Sequence, residues 1–240
     1  MVVRALHVSA QLGREARAVL EQGRLIAAPL HRVLRRRATD RAATEPLREP
    51  HAVLFVHGFM ARGEVFGPMR AHVEQRLPVR THHLSYGPLD AFESVAARVA
   101  PEIDRLTREH GAEHVSLVGH SLGGLVLRWY LQELGGSSHV RRLITLATPH
   151  AGTRAARFAP GPMGAALAPG GSIVKRLAET RHRASHVKHV AVVAAADRMV
   201  TPPSSAAAID DAEVCWIDGL GHNEALFDRR VFDQVVRALR

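Results

Sequence analysis

One serine in this sequence lies between two glycines, at the point where a strand-like run ends and a helical pattern begins. The stretch is Gly119-His120-Ser121-Leu122-Gly123. A serine hydroxyl is a weak nucleophile unless a base removes its proton, and it must project clear of the backbone to reach a carbonyl carbon. Glycines two positions before and after the serine allow such a turn, so the pattern predicts a nucleophile elbow. A phosphate-binding turn is the alternative, but it favours a longer glycine loop or a lysine, and neither is present.

His222 is the candidate base for this serine. The chain has 16 histidines, so the type of residue alone decides nothing. His222 lies in the stretch WIDGLGHNEALF (216–227), between the last predicted strand and the last predicted helix. Loops at the carboxyl ends of parallel strands are where ligands bind in such sheets. The alternative is an ordinary loop histidine exposed to solvent.

A carboxylate is expected to orient the imidazole of His222 and to stabilise its charged form. Asp197 ends the apolar run HVAVVAAAD (189–197), which predicts that it lies at the same sheet edge as the elbow. Three other aspartates are rivals. Asp210 and Asp211 lie in a polar stretch between elements, and Asp218 lies four residues before His222. The strand end favours Asp197.

Attack on a carbonyl creates an oxyanion, which backbone N–H groups stabilise. Leu122, which follows the nucleophile, is the first candidate donor. The second is expected from the loop in LFVHGFMARG (54–63), where His57 and Gly58 turn the chain. This pattern assigns the role to the N–H of Phe59, or to that of Met60 if the turn is offset by one residue.

Apolar residues near these groups are candidates for an acyl-binding surface. Met60 and Phe66 follow the first core strand, and Phe158 lies in the Ala-, Gly- and Pro-rich segment 151–186. This segment is interpreted as a lid-like insert, or alternatively as a surface loop with some core anchors. Met60 and Phe66 are equally compatible with plain core positions.

No metal or cofactor is predicted. Cys215 is the only cysteine, which excludes an intrachain disulfide and a cysteine metal cluster. His182, His186 and His189 have a spacing that zinc sites use on helices, but no matching carboxylate motif accompanies them.

The elements that must position these residues follow an alternating rhythm from residue 51 onwards. Short β-branched or apolar runs alternate with longer helical patterns, which is typical of an α/β fold with a mostly parallel sheet of about six strands covered on both faces. Strands are predicted at 52–56, 79–84, 114–118, 140–147, 189–196 and 212–218. Helices are predicted at 63–77, 91–110, 122–134 and 223–239.

The first 50 residues differ from the rest and are interpreted as a basic extension, with one or two helices over 1–37 and a polar linker up to Pro50. They contain ten arginines and five acidic residues, a net charge of 10 − 5 = +5, out of +9 for the whole chain. Positive charge therefore marks this segment and not a nucleic-acid groove across the domain. The helix is interpreted as packing on the domain with a solvated arginine face, or alternatively as lying on an anionic membrane.

Targeting signals are expected to be absent. No run of 18 apolar residues predicts a transmembrane helix, and Arg, Gln and Glu interrupt the N-terminal apolar pattern where a secretion signal needs an unbroken one. We expect a monomer that is cytoplasmic or peripherally associated with a membrane.

Five motifs occur in the order seen in lipases of the α/β-hydrolase superfamily: VLFVHGF, VGHSLGG, LITLATPHAG, AAADRMVTP and GLGHNEALF. Over residues 51–240 the chain resembles small bacterial lipases and esterases, including the minimal Bacillus type. The resemblance implies a triad of Ser121, Asp197 and His222, oxyanion donors at Phe59 and Leu122, and a structural role for His150. The first 50 residues and the missing secretion signal depart from the secreted members.

These observations predict a serine carboxylic-ester hydrolase that acts on a small-molecule ester or lipid through an acyl-enzyme. An acyltransferase, a thioesterase or an amidase would use the same residues, so these alternatives stay open. A non-catalytic binding protein on a hydrolase fold is a further alternative, against which the complete set of three residues argues.

Overall fold

The computed structural model describes residues 2–27, 51–136, 138–158 and 162–240. In these residues six strands form one parallel sheet in the order β2-β1-β3-β4-β5-β6. The strands are β1 (His51–Val56), β2 (Arg80–Leu84), β3 (His114–His120), β4 (Val140–Leu146), β5 (Lys188–Ala194) and β6 (Ala212–Ile217). The six predicted strands are confirmed, and with them the α/β fold with a sheet flanked by helices.

The α-helices of the described residues are α1 (Val2–Ala27), α2 (Gly67–Glu74), α3 (Phe92–Ala97), α4 (Val99–His110), α5 (Leu122–Glu133), α6 (Pro162–Leu167), α7 (Ser172–Glu179) and α8 (Arg229–Leu239). Short 3-10 helices lie at Gly63–Phe66, Arg154–Phe158, Arg181–Ala184, Pro203–Ala207 and Glu224–Leu226. None of the described helices combines the length and the apolar character needed to span a bilayer.

Three predicted helix boundaries are wrong. The segment 91–110 contains two helices, because the chain turns at Arg98 between α3 and α4. Residues 63–77 begin with a 3-10 turn before α2. The closing segment also begins with a 3-10 turn, and α8 starts only after Asp228, whose side chain accepts the N–H of Arg230 as an N-cap.

The N-terminal prediction is tested in part. Residues 2–27 form the single helix α1, whereas the expected helix end and linker over 28–50 lie outside the described residues. The division of the chain at residue 50 therefore stays a prediction.

The central strands are apolar on both faces because helices cover both. On one face Leu54 and Leu117 pack with α3, α4, α5 and α7. On the other face Phe55 and Val118 pack with α2 and α8. The alternation of side chains along a strand divides the apolar residues between these two layers, and each layer removes a continuous apolar surface from water.

The order of the strands creates the place where the functional groups meet. From β1 the chain moves outwards to β2, then returns across β1 to form β3 on its other side. The loops after β1 and β3 therefore leave the same sheet edge in opposite directions. A cleft forms at such a reversal in open parallel sheets, and ligands bind there.

Candidate active site

Ser121 lies at a sharp turn between β3 and α5. Its backbone has φ +52° and ψ −122°, a conformation that a non-glycine residue rarely adopts. The turn depends on close packing. A Cβ added at Gly119 would lie 2.6 Å from the Cα of Gly124, and one at Gly123 would collide with the carbonyl of Val56. Glycine at positions 119 and 123 is therefore a steric requirement, as the sequence pattern predicted.

Asp197 and His222 come together across the loops that follow β5 and β6. The Nδ1 atom of His222 lies 2.7 Å from Oδ2 of Asp197. Both side chains are buried: 4% of the His222 side chain and 1% of the Asp197 side chain are exposed. The other carboxylate oxygen, Oδ1, accepts the backbone N–H groups of Met199 at 2.7 Å and Val200 at 2.8 Å. These bonds fix the orientation of the carboxylate.

The rival aspartates lie elsewhere. Asp210, Asp211 and Asp218 are exposed, and the backbone carbonyl of Asp218 accepts a hydrogen bond from Arg230. A carboxylate in water is less able to orient a buried imidazole, because solvent screens its charge.

The orientation of His222 leaves its second nitrogen available. A carboxylate can only accept at Nδ1, so Nδ1 carries the proton and Nε2 has a free lone pair. Within the described part of the chain neither Nε2 nor the Ser121 hydroxyl has a hydrogen-bond partner. Hydrogen bonds between catalytic groups are often long before substrate binds, so this open arrangement is compatible with proton transfer.

His120, the residue before the serine, supports His222 from the side. The two rings lie 4.7 Å apart, and Nε2 of His120 donates to the backbone carbonyl of His222 at 3.1 Å. Burial lowers the pKa of His120 well below its usual value, and the neighbouring His222 lowers it further. His120 is therefore a neutral side chain that holds the backbone of the base.

The loop after β1 approaches the serine closely. A Cβ at Gly58 would lie 3.0 Å from the Ser121 Cβ, so the two loops are in contact. Phe59 is 41% exposed and Met60 is 67% exposed, with φ +57° at Met60. Among the described residues the N–H groups of Phe59 and Leu122 donate to no other group, which leaves both available to an external oxygen.

The sequence did not indicate the interaction that holds this loop. The rings of His57 and Tyr86 stack with centroids 4.1 Å apart, and the Tyr86 hydroxyl donates to the carbonyl of His57 at 2.8 Å. Nε2 of His57 accepts the N–H of Tyr86 at 3.1 Å, so its proton is on Nδ1 and is donated to the carbonyl of Gly58 at 2.8 Å. Burial lowers the pKa of His57. No local signal marks Tyr86, because it meets His57 through the pairing of β1 with β2.

The predicted acyl-binding residues have different environments. Met60 is exposed beside the elbow, and Phe158 is 76% exposed beneath the guanidinium of Arg157. Phe66 is completely buried in the core, where its ring packs 5.0 Å from that of Phe55. Phe66 therefore has no surface for a substrate in this conformation, in agreement with the alternative interpretation that it is a core residue.

The histidines considered as metal ligands do not converge. His182 and His186 are exposed, whereas His189 is buried with Nε2 3.0 Å from the Thr145 hydroxyl. His150 lies in the same buried cluster, where Nδ1 accepts from Arg128 at 3.2 Å. These contacts are compatible with the structural role that the family resemblance implied for His150.

Helix α1 contacts both catalytic loops, which the sequence did not predict. Gln11 donates to the carbonyl of Ala196 at 2.5 Å, and Glu15 accepts the N–H of Asn223 at 3.2 Å. Arg14 pairs with Glu224 at 2.7 Å and donates to the carbonyl of Gly219 at 3.1 Å. Burial raises the pKa of Glu15, and the hydrogen bond from the backbone N–H of Asn223 opposes this shift. A groove of about 600 Å³ runs between α1 and residues 224–228.

Comparisons with known proteins agree with this architecture. The family model for palmitoyl protein thioesterases matches residues 52–195. No curated protein sequence matches the chain significantly. Lipase B of Aspergillus fumigatus superposes with a TM-score of 0.69 at 16% identity, over 79% of this chain and 52% of that protein. The chain thus spans about half the length of that lipase.

Two bacterial enzymes match over most of their own length. The mature form of Bacillus licheniformis lipase BlEst2 has a TM-score of 0.62 at 18% identity, covering 81% of this chain and 94% of that one. Est1E of Butyrivibrio proteoclasticus has a TM-score of 0.62 at 16% identity, covering 80% and 87%. At such identities the likeness establishes the fold, which is that of the α/β-hydrolases.

Proposed function

The chain belongs to the palmitoyl protein thioesterase family, and from this membership we propose that it is a serine hydrolase that cleaves fatty-acyl thioesters. The observation that carries the proposal is the buried Asp197–His222 pair, 2.7 Å from oxygen to nitrogen, beside a serine on a strained elbow. A nucleophile, a base and an acid that orients the base are the minimum set for acyl transfer to serine.

The first half-reaction forms an acyl-enzyme. As Ser121 Oγ bonds to the carbonyl carbon, its proton moves to Nε2 of His222. The tetrahedral intermediate then collapses, the bond from carbon to sulfur breaks, and His222 returns the proton to the departing thiolate. In the second half-reaction water attacks the acyl-serine, again with His222 as base, and the free acid leaves. Asp197 stabilises the imidazolium form in both steps.

The oxyanion of each tetrahedral intermediate would bind the N–H groups of Phe59 and Leu122. Both donors come from backbone held by other contacts: His57 and Tyr86 fix the first loop, and the start of α5 fixes the second. Donors fixed in this way need little reorganisation when charge develops on the oxygen, which is the condition for strong stabilisation.

Carboxylic esters are a second candidate substrate class. The fold is shared with proteins described as lipases and esterases, and the same steps apply with an alkoxide in place of the thiolate. The exposed side chains of Phe59, Met60 and Met199 would contact an apolar acyl group in either case. A thiolate is a better leaving group than an alkoxide. Because the triad can cleave both bonds, the preferred substrate depends on how the protein binds the acyl chain and the leaving group.

The experiment compares matched substrates and matched serine variants. Two substrate series are used, with acyl chains from acetyl to palmitoyl. Thiol release is measured from S-acyl N-acetylcysteamine, and nitrophenol release is measured from p-nitrophenyl esters. We expect turnover on palmitoyl thioesters, and a loss of at least about 10³-fold in Ser121→Ala. The control is Ser204→Ala, which alters an exposed serine in the 3-10 turn Pro203–Ala207 and should retain full activity.

Two results would count against the proposal. Undiminished turnover in a folded Ser121→Ala variant would remove the serine mechanism altogether. Serine-dependent turnover confined to oxygen esters would retain the mechanism and reassign the substrate to the second class.

A further inference from the structure

Helix α1 presents a polar face to the rest of the protein. Gln11, Glu15, Ala18 and Gln22 follow one another at spacings of four, three and four residues, which places them on one side of a helix. These four are the buried or half-buried positions of residues 11–24. Gln11 and Glu15 bond the backbone of the two catalytic loops. Hydrogen bonds therefore account for much of the attachment of α1.

The opposite side of α1 is apolar and exposed. Leu12 is 50% exposed, Val19 53% and Leu20 65%. Gly13, Ala16 and Gly23, which are also exposed, lie between them on the helix surface. At 3.6 residues per turn these six positions cover roughly 120° of the helix circumference. An apolar stripe of this width normally faces a core, but within residues 2–27, 51–136, 138–158 and 162–240 no such partner covers it.

Positive charge borders this stripe. Arg17 and Arg24 follow it around the helix and are exposed, and together with Leu20 they also line the groove between α1 and residues 224–228. The side chain of Arg24 is 81% exposed, and its contact with Glu21 is long, at 3.7 Å. The first 50 residues carry a net charge of +5, from ten arginines and five acidic residues. Exposed apolar side chains flanked by arginines are the pattern of a helix that lies in a membrane interface.

The helix that carries the stripe adjoins the catalytic loops. Through Gln11 and Arg14, α1 is bonded to the loops that carry Asp197 and His222. It also packs against the 3-10 turn Gly63–Phe66, which follows the loop of Phe59. Other exposed apolar side chains, Met60 and Met199, belong to the loops of this same sheet edge.

We propose that the outward face of α1, formed by Leu12, Val19 and Leu20 with Arg17 and Arg24, docks on an anionic lipid bilayer. The apolar side chains enter the headgroup boundary while the arginines contact lipid phosphates. A second copy of the chain fits less well. Three large side chains offer far less than the roughly 800 Å² per partner of a stable dimer, and pairing would bring two segments of like charge together.

This inference does not depend on the proposed function, because binding is measured without turnover. The full chain is sedimented with vesicles of phosphatidylcholine alone and with vesicles that contain 30% phosphatidylserine, at low and high salt. The variants are the triple Leu12→Gln/Val19→Gln/Leu20→Gln and the double Arg17→Gln/Arg24→Gln. Glutamine is a good helix former, so α1 should persist. Circular dichroism verifies the fold of each variant.

We expect binding to the anionic vesicles that weakens at high salt. The triple variant should bind at least about 100-fold more weakly, and the double variant roughly tenfold more weakly. The matched control is Leu89→Gln/Arg108→Gln, which removes an exposed leucine and an exposed arginine outside α1 and should bind like the parent protein.

Three outcomes would overturn the inference. The first is no sedimentation with either vesicle, and the second is equal binding by the folded triple variant and the parent protein. The third is a dimer in light scattering that the triple variant converts to a monomer, which would assign the stripe to a second copy of the chain.

Discussion

Two groups of buried histidines in this protein have opposite surroundings. The catalytic-edge cluster contains His57, His120 and His222 at the carboxyl edge of the sheet. The inner cluster contains Arg128, Thr145, His150 and His189, between α5 and strands β4 and β5. In the first, Asp197 contacts His222 at 2.7 Å. In the second, the nearest charge is the buried guanidinium of Arg128, and among the described residues no carboxylate contacts either histidine.

The difference determines what each histidine can do. Arg128 can only donate, so Nδ1 of His150 accepts and Nε2 carries a proton towards the Thr145 hydroxyl at 3.0 Å. Burial, and then the charge of Arg128, lower the pKa values of His150 and His189 well below the usual value. Both ring nitrogens of His150 are occupied. His222 by contrast has a carboxylate that holds the proton on Nδ1, and its Nε2 has no hydrogen-bond partner among the described residues, so Nε2 is available to accept a proton.

The largest effect is expected from removing the two histidines in turn. His222→Ala should reduce kcat by roughly 10⁴-fold, because without a base the serine keeps its proton. The same change at His150 should leave kcat per folded molecule within about twofold. Steady-state kinetics with an active-site titration tests both. If the two variants lost turnover equally, the proposed division of roles between the clusters would be wrong.

The second prediction concerns Asp197→Asn. The amide oxygen would still accept the N–H groups of Met199 and Val200, so its NH₂ group would point at His222 and force the proton onto Nε2. A base in this tautomer cannot accept the serine proton, and kcat should fall by about 10³- to 10⁴-fold with the fold retained. The control Asp218→Asn alters an exposed rival aspartate and should be neutral. A larger loss in the control than in Asp197→Asn would reassign the acid.

The sequence predicted the framework of the catalytic-edge cluster because local signals mark it. Apolar runs defined all six strands to within about two residues, and residues that follow parallel strands meet at one edge. The glycines around Ser121 were also a local signal, because side chains at these positions would collide with neighbouring backbone at the turn. The alternation predicted a parallel sheet but not the order of its strands, so the cleft between the loops after β1 and β3 is a finding of the structure.

Contacts between distant segments could not be predicted in this way. Tyr86 meets His57 only because β2 pairs with β1. The orientation of α1 is the reverse of what amphipathic periodicity favours, because the catalytic loops offer the carbonyl of Ala196 and the N–H of Asn223, which glutamine and glutamate can bond. A phenylalanine such as Phe66 can either contact an acyl chain or fill the core, and only the packing in the structure distinguishes these two roles.

The third prediction tests the inner cluster through stability. His150→Ala removes a buried ring and its hydrogen bonds to Arg128 and Thr145, so that among the described residues the guanidinium keeps only its bonds to Gln132 and Leu177 and the Thr145 hydroxyl keeps only its bond to His189. The free energy of unfolding should fall by about 2–4 kcal/mol. Urea denaturation measures it, with the exposed His182→Ala as the control. A loss below about 0.5 kcal/mol would indicate that the cluster contributes little to stability.

The smallest effect concerns the titration of a half-buried histidine, His51, which has no carboxylate partner in the described part of the chain. His51 bonds the Ser116 hydroxyl at 2.8 Å, and burial, followed by the charge of Arg142, lowers its pKa to about 4. In the unfolded chain its pKa is near 6.5, so between these values the unfolded state binds more protons. Stability must therefore fall as the pH drops from 6.5 towards 4, by up to about 1.4 kcal/mol per pH unit for this one group.

His51→Gln keeps a partner for Ser116 and cannot be protonated. Its free energy of unfolding should therefore decrease less steeply than that of the parent protein between pH 6.5 and pH 5, while the two proteins should show parallel curves above pH 7. Urea denaturation at a series of pH values provides the comparison. Parallel curves through the acid range would mean that His51 retains an ordinary pKa in the folded state. The rule drawn from the two clusters, that a buried histidine without a carboxylate stays neutral, would then not extend to this half-buried position.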